Sequence, residues 1–175
     1  MVDSTPLEDR RDPEARGGYT SRGPFLGFTR HAAVNQAGIP VRAVVTPGNR
    51  HDAPFLPRLI QGLRPDRVVA DAGYDSKKNR NAVKQMGAEP VIPVNPRRRG
   101  RRGIRTVLTR GYQYLVEQFN SLVKGPILDG CWQRVKGLEK KAGQVYAGLI
   151  GLVTISLKSV INGEPSLRRM SQGWI

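Results

Sequence analysis

At 175 residues the chain has the length of one domain with room for a hydrophobic core. Twenty-nine Lys and Arg against fourteen Asp and Glu leave a formal net charge of +15, more than solubility requires, which directs attention to a polyanion and first of all to nucleic acid. A single cysteine, Cys131, excludes an intramolecular disulfide and a Cys-rich zinc site, and the polar start MVDSTPLEDRRD has no signal-peptide core.

In chain order, residues 1–26 read as a short opening strand at Met1 to Asp3 followed by a polar loop rich in Gly, Pro and Arg. Residues 27–35 and 39–46 are strand-like runs joined as an antiparallel hairpin, with Gly38 taking a positive φ. The TPGNRHD segment, 46–52, is a loop into a helix over 53–62, with Asp52 as its N-cap. The stretch RVVADAGYDS, 67–76, is the centre of the chain. Val68, Val69 and Ala70 predict a buried strand, and Asp71 stands where that strand ends. Asp71 or Asp75 there serves either as a helix cap or as a carboxylate lifted into a crevice beyond the strand end.

A helix over 76–86 should end at Gly87, followed by an edge strand PVIPV at 90–94 whose prolines cut its pairing short. The next segment, PRRRGRRGIR, carries Arg97, Arg98, Arg99, Arg101, Arg102 and Arg105 in a stretch with no acidic residue, the composition of a mobile loop that orders on an anion. A helix over 110–124 follows. Tyr112, Leu115, Val116, Phe119, Leu122 and Val123 form its core face, and Arg110, Gln113, Glu117, Asn120, Ser121 and Lys124 its polar stripe. The segment GPILDGCWQRVKG is irregular, and an apolar helix over 137–161 closes the domain. Its uncharged run, Val145 to Leu157, is short of the roughly 20 residues that span a bilayer, so no membrane partner is expected. Residues 1–162 are thus expected to form one domain, with 163–175 an unstructured tail.

This order matches an α/β, RNase H-like mixed sheet with flanking helices, in which acidic residues on the first strand, after the fourth strand and on a late helix converge. Such a cluster suits two divalent ions that activate an attacking oxygen and stabilise a leaving one at a phosphodiester. Carboxylates that repel one another in a basic protein are poorly explained as a structural device.

The motifs VDST (2–5), LGFTRHAAV (26–34), VTPGNRHD (45–52), VADAGYDS (69–76), VIPVNPRRR (91–99) and VEQFNSLVK (116–124) resemble the DDE transposases of bacterial and archaeal insertion sequences. The resemblance implies Asp3, Asp71 and Glu117 as catalytic metal ligands for two Mg²⁺, with Mn²⁺ as a substitute. It also implies Lys124 as a phosphate contact, and the arginines as further DNA contacts. The activity implied is cleavage of transposon ends and strand transfer into target DNA, in the cytoplasm at the nucleoid, with a homodimer as one form. Where the family motif has an Arg four residues before the Glu and a Tyr three before that, this chain has Gln113 and Arg110, leaving Arg110 as a relocated phosphate contact or none. Because only Met1 and Val2 precede Asp3, the first strand is expected to be truncated at its start and poorly paired. The rival reading is an inactive transposase remnant that binds DNA non-specifically. Among the remaining residues, His31 is expected to be structural, His51 to lie in a loop beside Asp52 with a role at the carboxylates as the lesser alternative, and Cys131 to be a small buried residue. Trp132 either packs or stacks on a base, and Lys77 and Lys78 either touch phosphate or are solvated.

Overall fold

The computed structural model describes residues 1–20, 22–95, 120–121 and 131–161. Among these residues, six strands, β1 (Val2–Glu8), β2 (Arg16–Thr20), β3 (Gly23–Val34), β4 (Pro40–Pro47), β5 (Arg67–Val69) and β6 (Glu89–Val91), combine with helices α1 (Leu56–Ile60), α2 (Lys77–Gln85) and α3 (Leu138–Ile161). The fold is mixed α/β. Antiparallel β1, β2 and β4 all pair with β3, β5 pairs with β6 in parallel, and a parallel bridge between Val2 and Ala70 joins the two groups. The spatial sequence through the middle is therefore β4, β3, β1, β5, β6.

The long β3 organises the sheet, and it forces a correction at the chain start. The opening strand does not stop at Asp3 but runs to Glu8, and β2 and the first residues of β3 occupy what reads as polar loop. Pro6 hides this strand in the sequence. The amide and carbonyl of Met1, Asp9 and the odd positions between them face β3, as the Val34 to Met1 and Asp9 to Leu26 hydrogen bonds show, so the missing N–H of Pro6 points away from that ladder and removes no rung. β1 pairs with β3 from Val2 to Glu8, so Asp3 is held by a full strand extending on its C-terminal side, not by two residues.

The hairpin between β3 and β4 forms as its residues predict. Gly38 takes φ +76°, and the Asn35 side chain accepts from the amides of Ala37 and Ile39. After β4 the expected helix over 53–62 is shorter, a 3₁₀ turn at Ala53–Phe55 running into α1, and the Asp52 side chain caps neither. Helix α2 starts at Ser76, whose hydroxyl accepts from the Asn79 amide at 3.0 Å. Edge strand β6 stops at Val91.

Alternation along the strands separates two cores. On one face Leu7, Phe28, Ala32, Val34, Ala43 and Val45 pack against Trp132 and, from α3, Val145, Leu149 and Leu152. On the other, Val2, Ala33, Val44, Val68 and Ala70 meet Leu56, Leu59, Tyr74 and Val83 of the α1–α2 side. Each large side chain fully removed from water there contributes about 1.5–3 kcal/mol. Helix α3 begins where the β1–β2 loop ends it electrostatically: Asp12 accepts from the Gly137 amide at 2.9 Å and Glu14 from the Leu138 amide at 2.8 Å. The fully buried Lys141 ammonium lies 2.7 Å from Asp9 and 3.2 Å from Asp12, and donates to the carbonyls of Trp132 and Val135. Burial alone would push both carboxyls up. Lys141 and the amides of Arg11 (to Asp9), Glu14 and Gly137 (to Asp12) outweigh it and hold them below the ordinary carboxylate range.

Trp132 is buried and donates to the Glu8 carbonyl at 3.2 Å, a packing role rather than base stacking. Among the described residues no helix is long and apolar enough to cross a membrane. The arginines 97–99, 101 and 102, with Arg105, Arg110, Gln113, Glu117, Lys124, the Cys131 side chain and residues 163–175, lie outside the described residues.

Candidate active site

The bridge between Val2 and Ala70 sets the geometry. Both side chains enter the α1–α2 core, so the next residue on each strand, Asp3 and Asp71, projects on the opposite face at neighbouring strand positions. Asp71 is exposed; its backbone remains extended, its Oδ1 accepts from the Ala72 amide at 2.6 Å, and its carbonyl accepts from Tyr74. Asp71 therefore caps the 3₁₀ turn Ala72–Tyr74 rather than helix α2, which Ser76 caps, and it stands beside Asp3. Asp75 does neither. Its Oδ1 takes Nε and Nη2 of Arg80 at 3.0 and 2.8 Å, and its Oδ2 takes the Asn95 amide at 2.9 Å, which ties the start of α2 to the chain leaving β6.

Asp3 is mostly hidden, and its carboxyl is pushed up to about 6, first by burial and then by the negative charges of Asp71 and Asp52, against the Ser4 amide and Asn120, which lower it. Asn120 Nδ2 donates to Asp3 Oδ2 at 3.0 Å, while Asn120 Oδ1 accepts from the fully buried Arg30. Arg30 thus orients the amide that holds Asp3. Burial lowers its guanidinium to about 10, with the Asp3 charge acting in the opposite direction.

Asp52 approaches from the other face of the sheet. Its Oδ1 is 3.6 Å from His31 Nδ1, its carboxylate accepts from the Ser4 hydroxyl, and its Oδ2 would lie 2.9 Å from a Cβ at Gly73. Burial, and then the charge of Asp71, pushes it up, against the Ser4 hydrogen bond and the His51 charge. His31 is fully buried, stacked on Phe55 at 4.5 Å, with Nδ1 3.2 Å from the Tyr74 hydroxyl and Nε2 3.1 Å from Thr46 Oγ1. Burial holds its pKa down to about 4, so it is neutral at neutral pH and makes no ion pair with Asp52. It is the structural histidine that the sequence predicts, and His51 is exposed. Lys77 and Lys78 are also exposed, and Lys78 borders a groove between α1 and α2 with Arg58 and Arg64.

The structure thus brings Asp3 and Asp71 together and adds Asp52, Asn120 and Arg30, to which the sequence reading gave no site role. One signal for Arg30 was present: an Arg–His pair inside the strand FTRHAAV has to be buried with partners. Among the described residues no three His, Cys, Asp or Glu side chains gather closely enough to hold a metal ion. The donor chemistry of Asp3 and Asp71 nevertheless fits a hard divalent cation, since both offer carboxylate oxygen and Asp3 carries a charge that its surroundings disfavour.

Comparison with known proteins bears on this geometry. Residues 1–150 match the family described as Transposase DDE domain. The chain is 38% identical over 61 residues to the transposase for insertion sequence element IS1106 of Neisseria meningitidis serogroup B, covering 34% of this chain and 21% of that protein. It is 35% identical over 78 residues to the putative transposase for IS402 of Burkholderia cepacia, covering 38% and 37%. To the putative transposase for IS6501 of Brucella ovis it is 39% identical over 70 residues, covering 39% and 54%. The matches thus span from about a fifth to about half of the relatives' lengths.

Proposed function

The chain belongs to the Transposase DDE domain family, and from that premise we propose that it is the catalytic domain of an insertion-sequence transposase, RNase H-like in fold, that cuts DNA at transposon ends and joins them to target DNA with divalent metal. The observation that carries the proposal is the placement of Asp3 and Asp71 on adjacent strands and the same face, with the Asp3 carboxyl destabilised in its charged form. The spatial order β4, β3, β1, β5, β6 agrees with an RNase H-like sheet. Asn120, a member of the polar stripe expected from the sequence, touches Asp3, and Glu117 belongs to the same expected stripe.

Asp3, Asp71 and Glu117 would hold Mg²⁺ or Mn²⁺, which supplies activation of the attacking oxygen and charge stabilisation at the leaving oxygen. The chain's own part is to fix these carboxylates. Strand pairing sets Asp3 and Asp71 side by side, and Asn120, steadied by Arg30, orients the Asp3 carboxylate through Oδ2. Lys124, Arg110 and the arginines 97–99, 101 and 102 supply phosphate contacts, which position DNA without reading its sequence.

The test is thermal unfolding and plasmid nicking with and without Mg²⁺ or Mn²⁺. Metal should raise the melting temperature of the parent chain, and Asp71→Ala or Glu117→Ala should remove both that rise and the nicking while DNA binding persists. A parent chain that binds DNA but neither nicks it nor responds to metal would establish the inactive remnant instead.

A further inference from the structure

We propose that Asp52 is a positioning residue for this site, a strut that locks the β1 strand to the Asp71 turn from the opposite face of the sheet. The proposal rests on the reading of Asp3 and Asp71 as site residues.

Asp52 sits at the start of a 3₁₀ turn, where a carboxylate normally caps, yet its side chain makes no capping bond. It turns inward instead, to 28% exposure, and its contacts select two places. One is the hydroxyl of Ser4, the residue after Asp3. The other is Gly73, two residues after Asp71, where a Cβ would come within 2.9 Å of Asp52 Oδ2. The carboxylate thus fills the space that a side chain at Gly73 would take and gives the Ser4 hydroxyl its acceptor.

The two strands need such a strut. Among the described residues, the backbone link from β1 to the β5 side is the single bridge at Val2 and Ala70, so the separation of Asp3 and Asp71 depends on what packs behind that bridge. A site for a cation tolerates displacement of its ligands by only about 0.5 Å. Outer partners that orient ligands typically affect metal affinity or activity by about 10–100-fold. Because Asp52 acts through a hydrogen bond and a packed surface, an uncharged side chain of the same shape should replace it.

The experiment compares Asp52→Ala, Asp52→Asn, Gly73→Ala and the Asp52→Ala/Gly73→Ala pair in the full chain. It reads the Mn²⁺ concentration for half-maximal nicking, DNA affinity in EDTA, and metal-free thermal unfolding. Asp52→Ala should raise the half-maximal Mn²⁺ concentration about 10–100-fold and leave DNA affinity unchanged. Asp52→Asn, whose amide oxygen still accepts from Ser4, should restore the parental value. Gly73→Ala should lower the metal-free melting temperature in the parent but do so less in Asp52→Ala, because the colliding oxygens are gone. An unchanged Mn²⁺ requirement in Asp52→Ala, or an Asn variant as impaired as the Ala variant, would overturn the proposal. If the parent answers to no metal, the functional reading fails first, and additive metal-free effects of the pair would then also remove Asp52 as a strut.

Discussion

Replacing Lys141 with methionine tests the electrostatic account of the fold most directly. Its ammonium is fully buried, 2.7 Å from Asp9 and 3.2 Å from Asp12, and those carboxylates are 4% and 0% exposed. Methionine keeps most of the volume over the Phe28 ring, which the ammonium approaches to 5.1 Å, but leaves two buried negative charges with amide partners and, at the rim, Lys136 at 3.5 Å. Removing one partner of a buried ion pair costs about 3–5 kcal/mol, and for a chain of this size each kcal/mol lowers the melting temperature by about 2–4 °C, so a fall of about 6–20 °C is expected. The pH dependence gives a second readout. In the parent, the lowered carboxyls of Asp9 and Asp12 contribute stability that is fully present above their unfolded pKa near 4 and is lost as pH falls through their lower folded values. Without Lys141, both carboxyls lose a partner that favours their charged form and move up from their parental values, so acidification from pH 7 towards 4 should narrow the gap between variant and parent. Urea unfolding at pH 7, 5.5 and 4 measures both effects. A loss below about 1 kcal/mol at pH 7, the size of an exposed pair, or a gap that widens on acidification, would refute the reasoning.

Ser76→Ala should remove the cap on the Asn79 amide and lower stability by about 1 kcal/mol, read by urea unfolding, with the effect confined to α2 in hydrogen exchange. DNA binding by the parent chain should weaken steeply between 50 and 200 mM salt, the slope of log affinity against log salt being about −0.9 per phosphate neutralised, and Asp71→Ala should leave that slope unchanged in a filter-binding titration. A flat salt response would remove the arginine-based interface.

The elements that the sequence made legible were those whose signals are local. Gly38 at the hairpin and the apolar run ending at Asp71 each act within a few residues, and each sits where its own chemistry requires. The features that were missed depend on partners far along the chain. The alternation of β1 is broken by Pro6, and only the ladder with β3 shows that the proline faces away from it. Asp52 precedes a turn and so resembles a cap, until Ser4 and Gly73, 48 and 21 positions away, provide better company. Asp9, Asp12 and Glu14 look like a polar loop because Lys141 and the start of α3 lie more than 120 residues later.

The hidden carboxylates of this fold behave in two opposite ways. Asp9 and Asp12 meet an ammonium directly, and their carboxyls fall below the ordinary range. Asp3 meets the amide of Asn120, with the Arg30 charge one residue further back, and neither outweighs burial and two neighbouring carboxylates, so its carboxyl rises to about 6. A fold that places a lysine against one pair of acids has the means to neutralise Asp3 as well. At Asp3 it interposes an amide, which orients the carboxylate without cancelling its charge. The compensation at the β1–β2 loop is internal and serves stability. Under the proposed function, the charge at Asp3 and Asp71 is left for a cation from outside, and the excess of positive charge over the rest of the chain would serve the polyanion that such a cation acts upon.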